Sequence, residues 1–230
     1  MELTTEQQRV IDHPAGRHAR VLAVAGAGKT TTMVQRVLHL IGERGVSPDR
    51  ILVVMFNTLA RHDFIRKLDE REVPTPRRPQ VHTYHSFASQ VIRSAERMNL
   101  LRGPLQFWVG QDAYHETVAL REAIRQVTAA HRVAQAQADG KARAYVPDID
   151  FAEAGRAIGL WKGGLISPER AGYRGDPRII EVYAAYEQRR TEKLGVTFDD
   201  FVPLAIDVLR RHPDARARVG GAFSHIIVDE

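Results

Sequence analysis

Eight consecutive residues, Ala23-Val24-Ala25-Gly26-Ala27-Gly28-Lys29-Thr30, constrain this chain more than any other stretch. Gly26 and Gly28 let the backbone turn tightly enough to aim several N–H groups at one anion. A lysine beside a hydroxyl residue then supplies a cation for the outer phosphates of a nucleotide and a ligand for Mg2+. The flanks agree. Residues 21–24 are an apolar run short enough for a buried strand. From Thr31 to Glu43, apolar Met33, Val34, Val37, Leu38 and Ile41 recur at spacings of three and four, the period of a helix. Strand, glycine turn and helix is the setting of a phosphate-binding loop. Ala23 occupies the first glycine position of G-x-x-x-x-G-K-[ST], so an ordinary strand-to-helix turn is the competing reading.

That competitor weakens at residues 225–230, His-Ile-Ile-Val-Asp-Glu, an apolar strand followed by two carboxylates, with Asp229 two hundred positions after Lys29. In such an element the Asp holds Mg2+ and the Glu polarises the attacking water. Asp-Glu after an apolar run is common alone and specific when paired with a phosphate loop.

Composition narrows the rest. The chain has no cysteine, which excludes disulfides and thiolate metal sites. No apolar run approaches the roughly 18 residues that span a bilayer. Met-Glu-Leu-Thr-Thr-Glu lacks the basic-then-apolar form of a signal peptide, so a cytoplasmic location is expected. The net charge of +5 permits a polyanionic partner without requiring one.

Residues 3–11 predict a short capped helix. Thr4 or Thr5 is the cap and Gln7 or Gln8 lies near the capping-box position. Gln7 is open to two readings, a surface glutamine or a reader of the adenine edge. Residues 51–56, Ile-Leu-Val-Val-Met-Phe, predict a strand, with Asn57-Thr58 leading into a helix over 59–68. Phe56 could stack on a base or belong to the core. Residues 80–83 predict another strand, and Tyr84-His85-Ser86-Phe87 a helix running to Arg97. His85 has no partner at metal-ligand spacing, which leaves a structural or nucleic-acid-contacting role. Between Leu100 and Arg190 no strand is expected. Helices are expected over 112–138, 151–161 and 177–193, with Trp161, Tyr183 and Tyr186 as core. Phe198-Asp199-Asp200-Phe201 precedes an amphipathic helix through Val208 and Leu209. A short helix with Arg216 and Arg218 leads to the last strand.

The order of these motifs resembles the N-terminal part of superfamily-1 helicases of the UvrD/Rep/PcrA type, over the whole chain. Leu3-Thr4-Thr5-Glu6-Gln7-Gln8 looks like the Q motif. Residues 23–30 resemble motif I, where that family also tolerates Ala at the first glycine. Phe56-Asn57-Thr58 resembles motif Ia, and Thr83-Tyr84-His85-Ser86-Phe87 motif Ib. Leu160-Trp161-Lys162 and Pro168-Glu169 are similar to part of the helical subdomain. Phe198-Asp199-Asp200-Phe201 resembles the stretch ahead of motif II, and residues 226–230 motif II itself.

The resemblance implies an α/β, RecA-like P-loop parallel sheet with an inserted, mainly helical subdomain. Residues 1–100 and 197–230 would form domain 1A, and 101–196 subdomain 1B. It implies ATP and Mg2+ as cofactors, and single-stranded DNA and duplex junctions as partners, with ATP hydrolysis driving 3′-to-5′ translocation. By position, Gln7 would recognise adenine, and Ala25, Gly26, Ala27, Gly28, Lys29, Thr30 and Thr31 would line the nucleotide. Thr30 and Asp229 would hold Mg2+. Lys29, Asp229 and Glu230 would be catalytic. Phe56, Asn57, Thr58, Tyr84 and His85 would face DNA. Ala27 replaces a common Ser, and Thr31 stands where many members carry Arg.

Family members continue well beyond motif II into domains 2A and 2B. The resemblance therefore implies that these 230 residues alone hydrolyse ATP poorly and do not unwind duplex. Two other classes remain open: a P-loop ATPase or kinase acting on a small molecule, and a nucleic-acid-binding module with a vestigial nucleotide site.

Overall fold

A computed structural model describes residues 3–24 and 26–229. Helix α1 (Thr5–Ile11) opens the chain, capped by Thr4 in a capping box with Gln7. Helix α2 (Lys29–Gly42) buries Val34, Val37 and Leu40. Strand β1 (Ile51–Met55) is buried at all five positions. Helix α3 (Thr58–Asp69) buries Phe64 and Leu68 one turn apart. Strand β2 (Gln80–Thr83) feeds directly into helix α4 (Tyr84–Arg97). Strand β3 (Gln106–Phe107) and helices α5 (Tyr114–Ala138), α6 (Phe151–Gly163) and α7 (Arg178–Glu192) follow. Strand β4 (Gly195–Val196) and helix α8 (Phe201–Arg211) come next. Helix α9 (Pro213–Ala222) and strand β5 (His225–Val228) complete the order. No helix among the described residues is long and apolar enough to cross a membrane.

The chain divides into two compact units, one running to Gln90 and resuming at His212, the other covering residues 91–211. The first contains a parallel sheet in the order β2-β1-β5, with Met55 opposite Thr83 and Val54 opposite Val228. Central β1 carries an unbroken apolar sequence because neither face meets water. Ile51, Val53 and Met55 alternate onto one face and pack with Val34 and Val37 of α2 and Phe64 and Leu68 of α3. Along β5 the pattern is different: Ile226 is 58% exposed and Val228 53%.

The strand expected at residues 21–24 does not form. The segment joins no ladder, and Leu22 is 82% exposed and Val24 79%. Apolar composition marks a segment fit for a sheet, but a strand exists only where a neighbour completes its hydrogen bonds. No described strand lies beside this one.

The second unit is helical around Trp161, which stacks on Tyr183 with ring centroids 5.4 Å apart, beside fully buried Tyr186. It also contains a parallel ladder that the sequence does not announce, β3 with β4, two residues each. Gly195 is required there, since a Cβ would fall 2.5 Å from the Trp108 ring. The Phe198–Phe201 stretch is an anchor. Thr197 and Asp200 form a capping box, and buried Lys162 reaches Asp200 at 2.7 Å and the Thr197 hydroxyl at 3.1 Å. Arg190 lies 3.5 Å from the same carboxylate and also pairs with Glu187. Two cations and two carboxylates thus balance around the buried Lys162–Asp200 pair.

Candidate functional site

The candidate residues of the first unit gather at the carboxyl ends of parallel strands, where α/β sheets bind ligands. Asp229 follows β5, and its N–H donates to the Val54 carbonyl at 2.9 Å. Phe56 and Asn57 follow β1, and Tyr84 and His85 follow β2. The in-register pairing of Met55 with Thr83 brings the last two groups to neighbouring strand ends.

The phosphate loop precedes α2. Gly26 and Gly28 adopt φ of 81° and 74°, left-handed conformations open to glycine at little cost. Gly28 caps α2 with no side-chain hydrogen bond, and the helical ladder begins with Thr32 N–H donating to the Gly28 carbonyl at 2.9 Å. Amides of the first turn therefore lie ahead of that ladder, at the positive end of the helix dipole. Gly26 and Ala27 are exposed; Gly28, Lys29, Thr30 and Thr31 are half-buried. Ala25 and Glu230 lie outside the described residues.

Lys29 Nζ stands 3.7 Å from Asp229 Oδ1. That oxygen is buried and accepts no hydrogen bond from the described residues. A buried carboxylate oxygen with a nearby cation but no donor in hydrogen-bond range suits a hard metal ion, and the Thr30 hydroxyl is an oxygen donor of the same class. Asp229 and Thr30 therefore fit Mg2+.

On the neighbouring strand ends, Phe56 is 61% exposed, which removes the core reading of this ring. Asn57 is committed locally: its Oδ1 accepts from Ala60 N at 2.8 Å as the cap of α3, and Thr58 is the first residue of that helix. Tyr84 and His85 open α4, which places them at the same sheet edge as Phe56.

Two neighbours of this edge escaped the sequence reading. Arg61 donates from Nε to the Val81 carbonyl at 2.9 Å, tying α3 to β2. His82 on β2 meets the Ser86 hydroxyl at 3.2 Å, and burial, aided by the Arg61 charge, holds its imidazole below the usual histidine range. The i, i+4 relation between His82 and Ser86 was visible in the sequence; the strand-to-helix corner joining them was not.

Gln7 is the other surprise. Its Nε2 donates to the Ala27 carbonyl at 3.1 Å while its Oε1 accepts from Thr4 N at 2.9 Å, so the side chain is engaged with the phosphate loop itself.

Residues 3–230 match the family described as UvrD/REP helicase N-terminal domain. Among curated relatives, the chain is 28% identical over 218 residues to an ATP-dependent DNA helicase PcrA of Leuconostoc citreum, covering 91% of this chain and 26% of that protein. It is 24% identical over 235 residues to an ATP-dependent DNA helicase UvrD1 of Mycobacterium bovis, covering 99% of this chain and 28% of the relative. A Staphylococcus aureus PcrA gives 24% identity over 239 residues, with 99% and 29% covered. The chain thus spans less than a third of the length of the relatives it matches.

Proposed function

The chain belongs to the UvrD/REP helicase N-terminal domain family, a RecA-like P-loop fold, and from that premise we propose that it is the ATP- and single-stranded-DNA-binding part of a 3′-to-5′ DNA translocase that acts at duplex junctions. The observation carrying this reading is one sheet edge with two chemistries. Lys29 and Asp229 lie within 3.7 Å of each other beyond β5, and exposed Phe56 lies one strand away beyond β1.

In this reading residues 1–100 and 197–230, which hold the three-stranded sheet, are domain 1A, and residues 101–196 are subdomain 1B. ATP phosphates sit on the loop amides of residues 26–30, with Lys29 against the outer phosphates. Mg2+, when bound by Asp229 and Thr30, supplies charge neutralisation for those phosphates. Glu230 orients the water that attacks. Phe56 stacks on a base, and Tyr84 and His85 continue the nucleic-acid face. Translocation needs two domains that open and close around ATP, and residues 3–230 match the family's N-terminal domain. The polypeptide alone is therefore expected to bind without unwinding.

The test is anisotropy of labelled oligo-dT titrated with the chain, with and without a Mg-bound non-hydrolysable ATP analogue. Binding that responds to the analogue is expected. Absence of any affinity for the oligonucleotide, alongside intact nucleotide binding, would instead favour an ATPase or kinase acting on a small molecule.

A further inference from the structure

The helical unit carries a cavity of about 520 Å3 between α5 and the segment that leads into α6. Arg121, Arg125, Thr128 and Arg132 line its α5 wall. At steps of four, three and four they form one stripe along that helix. Ile149 and Phe151 close the cavity from the segment entering α6.

Two of its cations are left for a ligand. Asp148 pairs with Arg132 at 3.0 Å, and Glu122 lies 3.6 Å from Arg189 rather than pairing with its neighbour Arg121. Arg121 and Arg125 form no ion pair among the described residues. Thr128 lies between these arginines and Arg132 on the same stripe and is 5% exposed, and its buried hydroxyl has no hydrogen-bond partner among the described residues. A hydroxyl so placed is costly unless something in the cavity meets it. Phe151 adds a flat apolar surface. The Arg121 guanidinium lies over its ring, 5.5 Å from the centroid, and the residue remains 40% exposed.

Two guanidiniums one helical turn apart suit phosphate groups, and the Thr128 hydroxyl supplies a further donor. An exposed ring in a cavity suits the face of a base. A duplex keeps its base faces stacked inside, whereas a single strand offers phosphates and base faces together.

We propose that this cavity is a second single-strand site, taking sugar-phosphate backbone on Arg121, Arg125 and Thr128 and stacking one base against Phe151. It shares no residue with the edge formed by Phe56, Tyr84 and His85, and it rests on the reading above for the class of its ligand.

The experiment joins a map to a salt series. Oligo-dT carrying a photoreactive thymine analogue is crosslinked to the wild-type chain, and the crosslinked peptides are identified by mass spectrometry. Anisotropy of labelled oligo-dT, and of a blunt duplex of the same length, is measured across NaCl concentrations. The proteins are wild type, Arg121→Gln/Arg125→Gln, Arg121→Lys/Arg125→Lys and Phe151→Leu. A crosslinked peptide containing Phe151 is expected beside one containing Phe56. In the Gln pair the slope of log affinity against log salt should be shallower by about 0.7 per lost phosphate contact, about 1.4 in all, and the Lys pair should restore it. Phe151→Leu keeps apolar bulk without the ring and should weaken oligo-dT at least about fivefold with the slope unchanged. An unaltered slope in the Gln pair would overturn the proposal. So would wild-type affinity in Phe151→Leu, or losses confined to the duplex, which would make this a duplex face. Crosslinks at Phe56 alone would strike this inference and leave the proposed function standing. No binding of oligo-dT by wild type would strike both.

Discussion

Lys29 Nζ and Asp229 Oδ1 lie 3.7 Å apart, joining the first turn of α2 to the residue after β5. The separation exceeds a hydrogen bond, and the Asp229 side chain is only 10% exposed. Burial of a carboxylate oxygen without a donor is costly unless a ligand repays it.

Asp229→Asn should therefore leave the fold intact and change the metal response. Affinity for an ATP analogue measured with and without Mg2+ should show the gain from Mg2+ reduced about tenfold or more. An unchanged gain would mean that Asp229 does not hold the ion.

Phe56 offers a test of the other chemistry. Since 61% of the residue is exposed, Phe56→Ala should alter stability by no more than about 0.5 kcal/mol in denaturant unfolding. Affinity for oligo-dT should fall by about 1–3 kcal/mol, the worth of one base stacked on an aromatic ring. Loss of stability without loss of DNA affinity would return Phe56 to a packing role.

What the sequence made legible here was local. The Thr4 and Gln7 capping box, strand β2 at Gln80–Thr83, and the buried Trp161, Tyr183 and Tyr186 all follow from spacing and side-chain type within one element. What it left dark depends on partners far away in the chain. The apolar residues 21–24 look like a strand, but nothing local states that no described strand stands beside them. The two-residue β3–β4 ladder is too short to show a period, although Gly195 against Trp108 marks it once the fold is known. Gln7 illustrates both cases: its cap was readable, and its bond to Ala27, twenty positions on, was not. Lys162 and Asp200 each belong to a motif, yet their contact joins α6 to the turn before α8, across the intervening α7 and β4.

That contact predicts a large cost. Lys162 is 5% exposed and serves Asp200, Glu187 and the Thr197 hydroxyl at once. Lys162→Met keeps the volume and leaves buried Asp200 and half-buried Glu187 sharing Arg190. Destabilisation of about 3 kcal/mol or more is expected in urea unfolding. A loss below about 1 kcal/mol would show that the network is dispensable.

Glu116 gives stability a pH dependence. Burial is the main cause holding its carboxyl above the usual glutamate value of 4.5, while its Oε1 accepts from the Tyr186 hydroxyl at 3.3 Å. A group whose folded value is raised binds more protons folded than unfolded. Its contribution is complete below pH 4.5 and is lost as pH rises through the folded value. Glu116→Gln should remove that slope and be at least as stable as wild type at pH 7. An identical pH profile in the two proteins would assign the slope elsewhere.

The most direct test of the central claim is calorimetric binding of a Mg-bound, non-hydrolysable ATP analogue to the wild-type chain and to Lys29→Ala, with and without oligo-dT. The account predicts binding by wild type, its loss in the variant, and a change in nucleotide affinity when oligo-dT is present, because both ligands use one sheet edge. Equal affinity in the two proteins, with no response to oligo-dT, would contradict it.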